Sequence, residues 1–205
     1  MKKKQKIIKE AIRLFAERGY DATTTLKIAE LSHVTEPLIF YHFKNKDGLF
    51  AEAIECIFFE YFSRLESLKI KTVSEFENLE NLIHMHFDYI AEMPNESYLV
   101  ASVRPARLRN FEHVCARNIE EQRNRLTTFI TGCLERGIQK GEFWNIPIEP
   151  TVRLFISSII GLMRPEMLFT NHVKTNYHTL IAELKEVAVM FCRKSLVRDG
   201  VKPRS

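Results

Sequence analysis

The sequence contains few of the residues that break or cross-link a chain. Its 205 residues include seven glycines, seven prolines and four cysteines. So few turn formers argue against a β-sandwich or barrel, whose many short strands need frequent turns. The four cysteines form no CxxC pair and lie in apolar helical sequence, which argues against a disulfide scaffold and predicts reduced core residues: Cys56, Cys115, Cys133 and Cys192. These shortages favour a helical protein.

Long apolar runs are also absent. No stretch approaches the roughly 20 residues that a helix needs to span a bilayer. The basic start, residues 1–6, is followed by an amphipathic helix broken by charged residues, which is not the pattern of a signal peptide. We therefore expect a cytoplasmic protein without a membrane partner.

Residues 23–43 have the pattern of two short helices joined by a tight turn. Thr25 can cap the first helix, which turns four apolar residues inward: Leu26, Ile28, Ala29 and Leu31. Thr35 can cap the second, with Pro37 in its first turn, where a missing N–H costs little. Only residues 32–34 remain for the turn, so the segment is predicted to be a helix-turn-helix.

The second of these helices divides into two faces. Ile39 and Phe43, four residues apart, can anchor it to the core. Its other large side chains then point mostly outward: Leu38, Phe40, Tyr41 and His42. This division is typical of a recognition helix, which reads bases in the major groove of DNA.

Together with residues 44–50 (KNKDGLF), this segment resembles the tetracycline-repressor (TetR) family of bacterial transcription regulators. The resemblance covers residues 6–50 closely. Beyond them it rests on length, helical pattern and the phrase LERGIQKGEF at 134–143. The chain has His33 where a glycine is common, and histidine is among the residues that tolerate positive φ. It has Phe40 where a tyrosine is common, which removes a hydroxyl that would bind a phosphate.

The resemblance implies an all-α protein with a three-helix helix-turn-helix DNA-binding domain at residues 1–48. A larger helical domain at 49–205 is expected to bind a ligand and to dimerise. The implied function is a ligand-responsive transcriptional regulator, a repressor that a small hydrophobic or amphipathic effector releases from a palindromic operator. The expected partners are double-stranded DNA, the effector and a second copy of the chain, and no cofactor is expected.

The expected DNA contacts fall into two kinds. Thr25, at a helix amino terminus, should hold a phosphate, with Lys27 and Lys46 adding charge. Exposed residues of the recognition helix should meet base edges or the groove wall, with Pro37 and Leu38 suited to thymine methyl groups and Glu36 to a cytosine amino group. The full predicted set is Thr25, Lys27, Thr35, Glu36, Pro37, Leu38, Phe40, Tyr41, His42 and Lys46.

The placement of charge supports this assignment. Residues 1–48 hold 10 Lys and Arg against 6 Asp and Glu, whereas residues 49–205 hold 20 of each. The whole net charge of +4 therefore lies at the DNA-binding end. A lysine-rich start can be a solvated tail, but attached to a helix-turn-helix it is expected to neutralise phosphates.

Apolar residues at a 3.6-residue period predict the remaining helices. The first covers 3–18 and ends at Gly19. Those after the helix-turn-helix cover 45–69, with Asn45 as N-cap, then 74–92, 96–104, 106–140, 149–168 and 176–196. The 45–69 helix begins beside the recognition helix and extends into the larger domain, so it is expected to carry a displacement between them.

Two further sets of residues are predicted in the larger domain. An aromatic and sulfur-rich effector pocket would be lined by Phe58, Phe62, Met85, Phe87, Tyr89, Phe111, Phe129, Cys133 and Phe155. The helix at 149–168 is apolar on more than one face, so it is either the centre of a monomeric bundle or part of an isologous interface. The resemblance favours the interface, with contacts from Val152, Ile156, Ile159, Ile160, Met163, Leu180, Leu184, Val187 and Phe191.

An all-helical metal-dependent enzyme is the alternative. The chain has no GxxxxGK, GxGxxG, HExxH or GxSxG motif. A di-iron site needs two Glu-x-x-His pairs, and only Glu30 and His33 have that spacing. His84 and Asp88, four residues apart, share a helix face and could bind a metal. The pattern therefore favours a regulator without catalytic or metal-binding residues.

Overall fold

The structure, a computed structural model, describes residues 2–68, 74–102, 112–162 and 177–198. These residues form helices with the following bounds: α1 Lys2–Ala22, α2 Thr25–Ser32, α3 Glu36–Phe43, α4 Lys46–Ser67, α5 Glu75–Glu92, α6 Pro94–Ser102, α7 Glu112–Gln139, α8 Ile148–Leu162 and α9 Tyr177–Leu196. In this part of the chain, the extended backbone pairs at one isolated bridge, between Phe143 and Val197. The predicted all-α class is confirmed.

The chain forms two compact units. The first comprises Met1–Tyr61 and Met93–Glu120, and the second comprises Phe62–Glu92 and Glu121–Ser205. Helices α4 and α7 each contribute residues to both units. The division into a DNA-binding domain at 1–48 and an effector domain at 49–205 remains a prediction, because compactness groups helices without assigning their activity.

In the first unit, α1 packs against α2 and α6, and α2 packs against α3. The inward stripe of α1 is fully buried at Ile7 and Ala11. At the end of α1 the backbone kinks at Gly19, whose φ of 80° is a conformation that favours glycine. The kink lets Tyr20 stack on Phe15 and meet Phe50 edge to face, at ring distances of 5.6 and 5.2 Å.

In the second unit, α5 and α9 run antiparallel. Lys185 binds Asp88 at 2.8 Å, and Arg193 lies 4.1 Å over the Phe76 ring. The hydroxyl of Tyr177, at the other end of α9, donates to the carbonyl of Ile90 at 3.0 Å. Asp88, one half of the pair considered above as a metal ligand, is therefore in a salt bridge.

The phrase at 134–143 closes α7 and fixes the start of α5. Gly137 leaves room for the buried Phe143 ring, since an added Cβ would lie 2.2 Å from it. Gly141 has φ of 73° and turns the chain. The Glu142 carboxylate then accepts the backbone N–H groups of Glu75 and Phe76 at 2.8 and 2.9 Å, as a helix N-cap does.

Glu75 itself is a buried carboxylate between two cations. Arg136 donates to both of its oxygens at 3.0 Å, and Lys140 donates to one at 2.6 Å. Burial raises the pKa of Glu75, but the hydrogen bonds from Arg136, Lys140 and Asn78 outweigh it, so the pKa lies below its ordinary value. The cations keep this buried group ionised.

The end of the second unit is closed by the chain's single tryptophan. The backbone N–H of Trp144 donates to the carbonyl of Leu196 at 3.0 Å, and the backbone N–H of Arg198 donates to the carbonyl of Glu142 at 3.0 Å. The Arg198 guanidinium lies 5.3 Å from the Trp144 ring centre, a cation–π contact. The segment after α7 is thereby joined to the end of α9.

Two of the cysteines fit the expected core role. Cys133 and Cys192 are buried, and burial raises the pKa of each thiol to about 12. Cys56, by contrast, is exposed on α4, so the expectation of a core position is wrong for this residue. The side chain of Cys115 lies outside those that the structure describes.

Candidate nucleic-acid interface

The turn between α2 and α3 depends on a left-handed residue. His33 has φ of 54° and ψ of 47°, and its N–H points back to the carbonyls of Ala29 and Glu30. The N–H of Val34 bonds to the carbonyl of Ala29 at 3.0 Å. These bonds satisfy carbonyls at the end of α2, as in a Schellman-type cap. The expectation that histidine takes positive φ at this position is confirmed.

The start of α2 differs from the prediction by one residue. The N-cap is Thr24, which has extended backbone and accepts the N–H of Lys27 on its hydroxyl at 3.2 Å. Thr25 is the first helical residue, so its predicted capping role is wrong: two adjacent threonines allow two registers. The Thr25 hydroxyl instead donates to the Glu36 carboxylate at 2.6 Å, linking the starts of α2 and α3.

Leu26 was expected in the core and is 54% exposed. A helix turns by about 100° per residue, so Leu26 lies about 200° around the axis from buried Ile28. It faces outward beside the amino terminus of α2. Leu26 and Thr24 are thus two surface residues that the sequence interpretation missed, and strict wheel geometry would have indicated the first.

Helix α3 has the two faces that the sequence predicts. Ile39 and Phe43 are buried, whereas Tyr41 is 81% exposed. The Tyr41 and His42 rings meet edge to face at 5.2 Å. The other predicted contact residues of this segment are exposed or half-buried: Thr35, Glu36, Pro37, Leu38 and Phe40. Thr35 is the N-cap residue, although its side chain makes no capping hydrogen bond.

The junction after α3 is a strained turn held by a glycine. Lys44 has φ of 66° and ψ of −48°, and the N–H of Asn45 bonds to the carbonyl of Phe43 at 2.8 Å, which is a γ-turn of the rare type. Asn45 caps α4 by accepting the N–H of Gly48 at 2.8 Å, as predicted. A Cβ on Gly48 would lie 2.1 Å from the Phe43 carbonyl oxygen. This close approach sets the path of the chain out of α3.

The predicted phosphate-binding lysines already have partners in the chain. Lys46 donates to the carbonyls of Tyr20 and Thr23 at 3.0 Å each, and its ammonium lies 4.2 Å from the Tyr20 ring centre. Two of the three N–H groups of the Lys46 ammonium therefore donate to backbone carbonyls at the end of α1. Lys27 forms an exposed pair with Glu30 at 2.9 Å. Because exposed ion pairs contribute little free energy, Lys27 can exchange Glu30 for a DNA phosphate at little cost.

The predicted pocket residues are distributed over both units. Phe58 is buried in the first unit. Phe87, Tyr89 and Cys133 are buried in the second, where four others are half-buried: Phe62, Met85, Phe129 and Phe155. Phe111 lies outside the described residues.

A cavity of about 680 Å³ in the second unit has a different wall from the predicted one. Its lining residues come from α4 and α7: Leu65, Glu66, Glu121, Asn124, Arg125, Thr128, Phe129, Gly132 and Arg136. Phe129 is the one residue of the predicted set among them. Most of its lining surface is apolar, although six of the nine lining residues are polar or charged. Arg125 pairs with Glu121, four residues earlier on α7, and with Glu66 on α4, and helical spacing indicates only the first of these pairs.

The predicted dimer residues also separate into two groups. Val152, Ile156 and Ile159 are buried in the chain's own core, which corrects the prediction that they contact a second copy. This stripe of α8 packs inward, and the buried His86 donates a hydrogen bond to the backbone of Ile159. Ile160, Leu180 and Leu184 are half-buried, and Met163 lies outside the described ranges.

The rest of α9 presents apolar side chains to solvent. The predicted interface residues Val187 and Phe191 are 55% and 67% exposed. Two residues outside the predicted set are also exposed, Met190 at 50% and Leu154 on α8 at 65%. On α9 these side chains follow a spacing of three and four residues, which places them on one face. A contiguous exposed apolar face is typical of an interaction surface.

The described ranges contain neither a cluster of metal-ligating side chains nor a membrane-spanning helix. No group of three or more His, Cys, Asp or Glu side chains there is arranged to hold a metal ion. No helix in them is long and apolar enough to cross a membrane.

Residues 7–53 match the family model of bacterial regulatory proteins of the tetR family. The match runs from α1 into α4 and includes every residue of the predicted DNA-contact set. It covers the helix-turn-helix and its flanking helices, and not the second unit.

Two curated relatives share this part of the chain. IcaR of Staphylococcus aureus, the negative transcriptional regulator of the biofilm operon icaADBC, is 40% identical over 55 residues, which are 27% of this chain and 30% of IcaR. The transcriptional regulator QacR of Staphylococcus aureus is 36% identical over 98 residues, which are 46% of this chain and 52% of QacR. The matches thus span 30% of the length of IcaR and 52% of that of QacR.

Solved structures extend the similarity of fold to nearly the whole chain. The transcriptional regulator FadR from Bacillus subtilis, in complex with stearoyl-CoA, superposes with a TM-score of 0.67 at 24% identity. The superposition covers 90% of this chain and 97% of FadR. At this identity the likeness establishes the fold alone.

Proposed function

We propose that this chain, whose amino-terminal helix-turn-helix domain belongs to the TetR family of bacterial regulatory proteins, represses transcription by binding a palindromic operator as a homodimer. A small hydrophobic or amphipathic effector releases it. Because such a protein acts on the bacterial chromosome, its compartment is the cytoplasm.

The observation that carries this proposal is the exposed face of α3. A helix of eight residues is anchored by Ile39 and Phe43, and a fixed turn lies at each end, at His33 and at Lys44. Its outward face carries three consecutive exposed ring side chains, Phe40, Tyr41 and His42, and Tyr41 is 81% exposed. A rigid, exposed helix beside a basic chain start is suited to the major groove.

The experiment is to select fragments of the source genome that the purified protein binds and to measure the affinity for the selected duplex against a scrambled one. We expect a clear preference at moderate salt. An affinity no better than a non-specific value of about 10⁻⁴–10⁻⁶ M for every sequence would contradict the proposal.

A matched pair of variants separates the two kinds of contact. Leu38→Ala should cost about 1–3 kcal/mol at one position of each half-site, since it removes an apolar base contact. Lys27→Ala should weaken all sequences alike and reduce the salt slope by about one, since it removes one phosphate contact. Equal effects of both substitutions on every sequence would contradict the assigned roles.

Dimerisation is proposed through the exposed apolar face of α9 and Leu154 of α8. Two recognition helices read a palindrome only if a two-fold axis fixes their spacing. Phe191→Glu should yield a monomer by light scattering and lower the affinity for DNA, while the fold remains intact because Phe191 is exposed. Arg153→Glu, a charge change at an exposed α8 position, is the control and should leave the dimer unchanged.

The effector is proposed to bind in the second unit and to act through α4. This helix begins directly after the α3 junction and ends in the second unit. A ligand that prefers the conformation with the wrong spacing of recognition helices must weaken DNA binding, and DNA must weaken ligand binding equally. FadR binds stearoyl-CoA within the same fold, which supports an amphipathic ligand class.

A thermal-shift screen of hydrophobic acids, acyl thioesters and aromatic cations tests the effector proposal. A ligand at 100 times its dissociation constant should stabilise the protein by about 2.7 kcal/mol. Hits are then titrated with and without operator. Equal ligand affinities in the two titrations would show that the ligand is not an effector. The enzyme alternative is not retained, because the named relatives are regulators of transcription.

A further inference from the structure

The contact between Thr25 and Glu36 joins the two helices of the helix-turn-helix. The Thr25 hydroxyl donates to one oxygen of the Glu36 carboxylate at 2.6 Å. The residues are eleven apart in sequence, and each is the first residue of its helix. Both are half-buried, so this hydrogen bond is partly shielded from water.

A threonine hydroxyl has one proton to donate. Phosphate oxygens at neutral pH accept hydrogen bonds, so Thr25 cannot serve Glu36 and a DNA phosphate at the same time. A carboxylate held next to that hydroxyl also repels a phosphate. The sequence expectation that Thr25 holds a phosphate therefore conflicts with the geometry.

Thr24 is better placed for the phosphate. It is exposed, and its hydroxyl oxygen accepts the N–H of Lys27, which leaves its own proton for an outside acceptor. The first N–H groups of α2 lie beside it, at the positive end of the helix dipole. A phosphate at this amino terminus can thus be held without Thr25.

The hydrogen bond restricts the Glu36 side chain. A free glutamate samples many rotamers, and base reading requires one of them. With one oxygen held by Thr25, the other oxygen remains as an acceptor at the start of α3, next to Pro37. A carboxylate oxygen in the major groove accepts from the amino group of cytosine.

We infer that Thr25 is a positioning residue, which fixes Glu36 to read a cytosine, and not a phosphate anchor. The inference rests on the proposed function, since it assigns a role within DNA binding. It makes the α2 threonine a determinant of sequence preference although it does not touch a base.

The test compares wild type, Thr25→Val, Thr25→Ser and Glu36→Gln on the selected operator and on a set of operators changed at one base pair at a time. Thr25→Val keeps the shape and removes the hydroxyl. It should reduce discrimination at one base pair of each half-site about 10-fold or more, the same base pair that Glu36→Gln affects. Thr25→Ser, which keeps the hydroxyl, should restore wild-type discrimination. The salt slope should not change in Thr25→Val or Thr25→Ser, because neither substitution changes a charge.

Other outcomes would overturn the inference. If Thr25→Val weakens all operators equally and reduces the salt slope by about one, Thr25 holds a phosphate. If Thr25→Val and Glu36→Gln affect different base pairs, the two residues act separately. Circular dichroism and thermal unfolding verify that each variant is folded, and Thr25→Ala, which also removes the hydroxyl, replaces the valine variant if that variant does not fold. A wild-type protein that binds all sequences equally would overturn the proposed function and this assignment with it.

Discussion

The recognition helix α3 of the first unit and helix α5 of the second are fixed at their ends by different means. In the first, the partners are close in sequence: His33 bonds to Ala29, Asn45 caps Gly48, and Gly48 lies against Phe43. In the second, the start of α5 is held by Glu142 and Arg136, which lie more than 60 residues along the chain. Local turns define the recognition helix, whereas a buried ionic cluster defines the larger helical unit.

Because of this difference, we expect substitutions to destabilise the two units to different extents. A residue in a local turn affects one junction, and the rest of the unit can adjust around it. A member of the buried cluster affects two helices together, because Glu75, Arg136, Lys140 and Glu142 join α5 to the end of α7. We therefore expect the largest losses of stability in the second unit.

Arg136→Met should have the largest effect. It leaves the Glu75 carboxylate, which is 1% exposed, with Lys140 as its remaining cation, and loss of one partner of a buried pair costs about 3–5 kcal/mol. Glu75→Gln is the control. It should cost about 1–3 kcal/mol, since Arg136 and Lys140 are partly exposed and can reach water. Urea unfolding measures both, and a larger loss for Glu75→Gln would contradict the asymmetry.

Gly48→Ala should come next, at about 3 kcal/mol. Its Cβ would meet a backbone oxygen that cannot move without disturbing the α3–α4 junction. Gly161→Ala is the matched control, because there an added Cβ would meet no atom within 4 Å. Thermal unfolding of the two variants should differ clearly. Similar thermal unfolding midpoints would show that the backbone of the α3–α4 junction can shift to accommodate the added Cβ.

The buried His86 should make the second unit sensitive to acid. Burial lowers its pKa from 6.5 to about 4, against a hydrogen bond to the Ile159 backbone that raises it. The unfolded chain takes up this proton below about pH 6.5, and the folded chain does so only near pH 4. Protonation of His86 therefore does not affect the free energy of unfolding above pH 6.5. As the pH falls from 6.5 to about 4, the unfolded chain binds the proton more tightly, and the free energy of unfolding decreases.

The expected loss from this histidine between pH 7 and pH 5 is about 2 kcal/mol. Unfolding of wild type and His86→Gln in urea at both pH values measures it. Because the substitution also changes the packing of a fully buried side chain, the two proteins are compared by the change in stability with pH and not by stability at pH 7. The same change in both proteins would exclude His86 as the cause.

Asn45→Ala should have the smallest effect, about 1 kcal/mol, since it removes one N-cap. Thermal unfolding detects it, and Asn45→Asp, which keeps an accepting oxygen, should recover most of the loss. A loss as large as that of Gly48→Ala would mean that the side chain also holds the γ-turn at Lys44.

The sequence predicted what depends on near neighbours. The inward pair Ile39 and Phe43, the positive φ at His33 and the cap at Asn45 all follow from residue type and helical period. The register at Thr24 and Thr25 did not, because both residues are good N-caps. The cluster around Glu75 could not be predicted, because its partners are brought together only by the packing of α5 on the end of α7.

The sequence also did not predict which apolar side chains of the second unit are buried and which are exposed. The apolar period identified α8 as a helix but could not indicate that Val152, Ile156 and Ile159 pack inward. The side chains left exposed, Leu154 and Met190 among them, become apparent only when the neighbouring helices are in place. The aromatic pocket was inferred from composition, which does not specify which side chains share a wall.

Trp144 gives this molecule a spectroscopic probe of one unit. It is the only tryptophan in the chain, and it is joined to the end of α9 through Leu196 and Arg198. Excitation at its absorption edge therefore reports opening of the second unit, while the first unit contributes tyrosines alone. Emission from Trp144, followed beside the far-ultraviolet circular dichroism of the whole chain, can separate loss of the ionic cluster from loss of the helix-turn-helix.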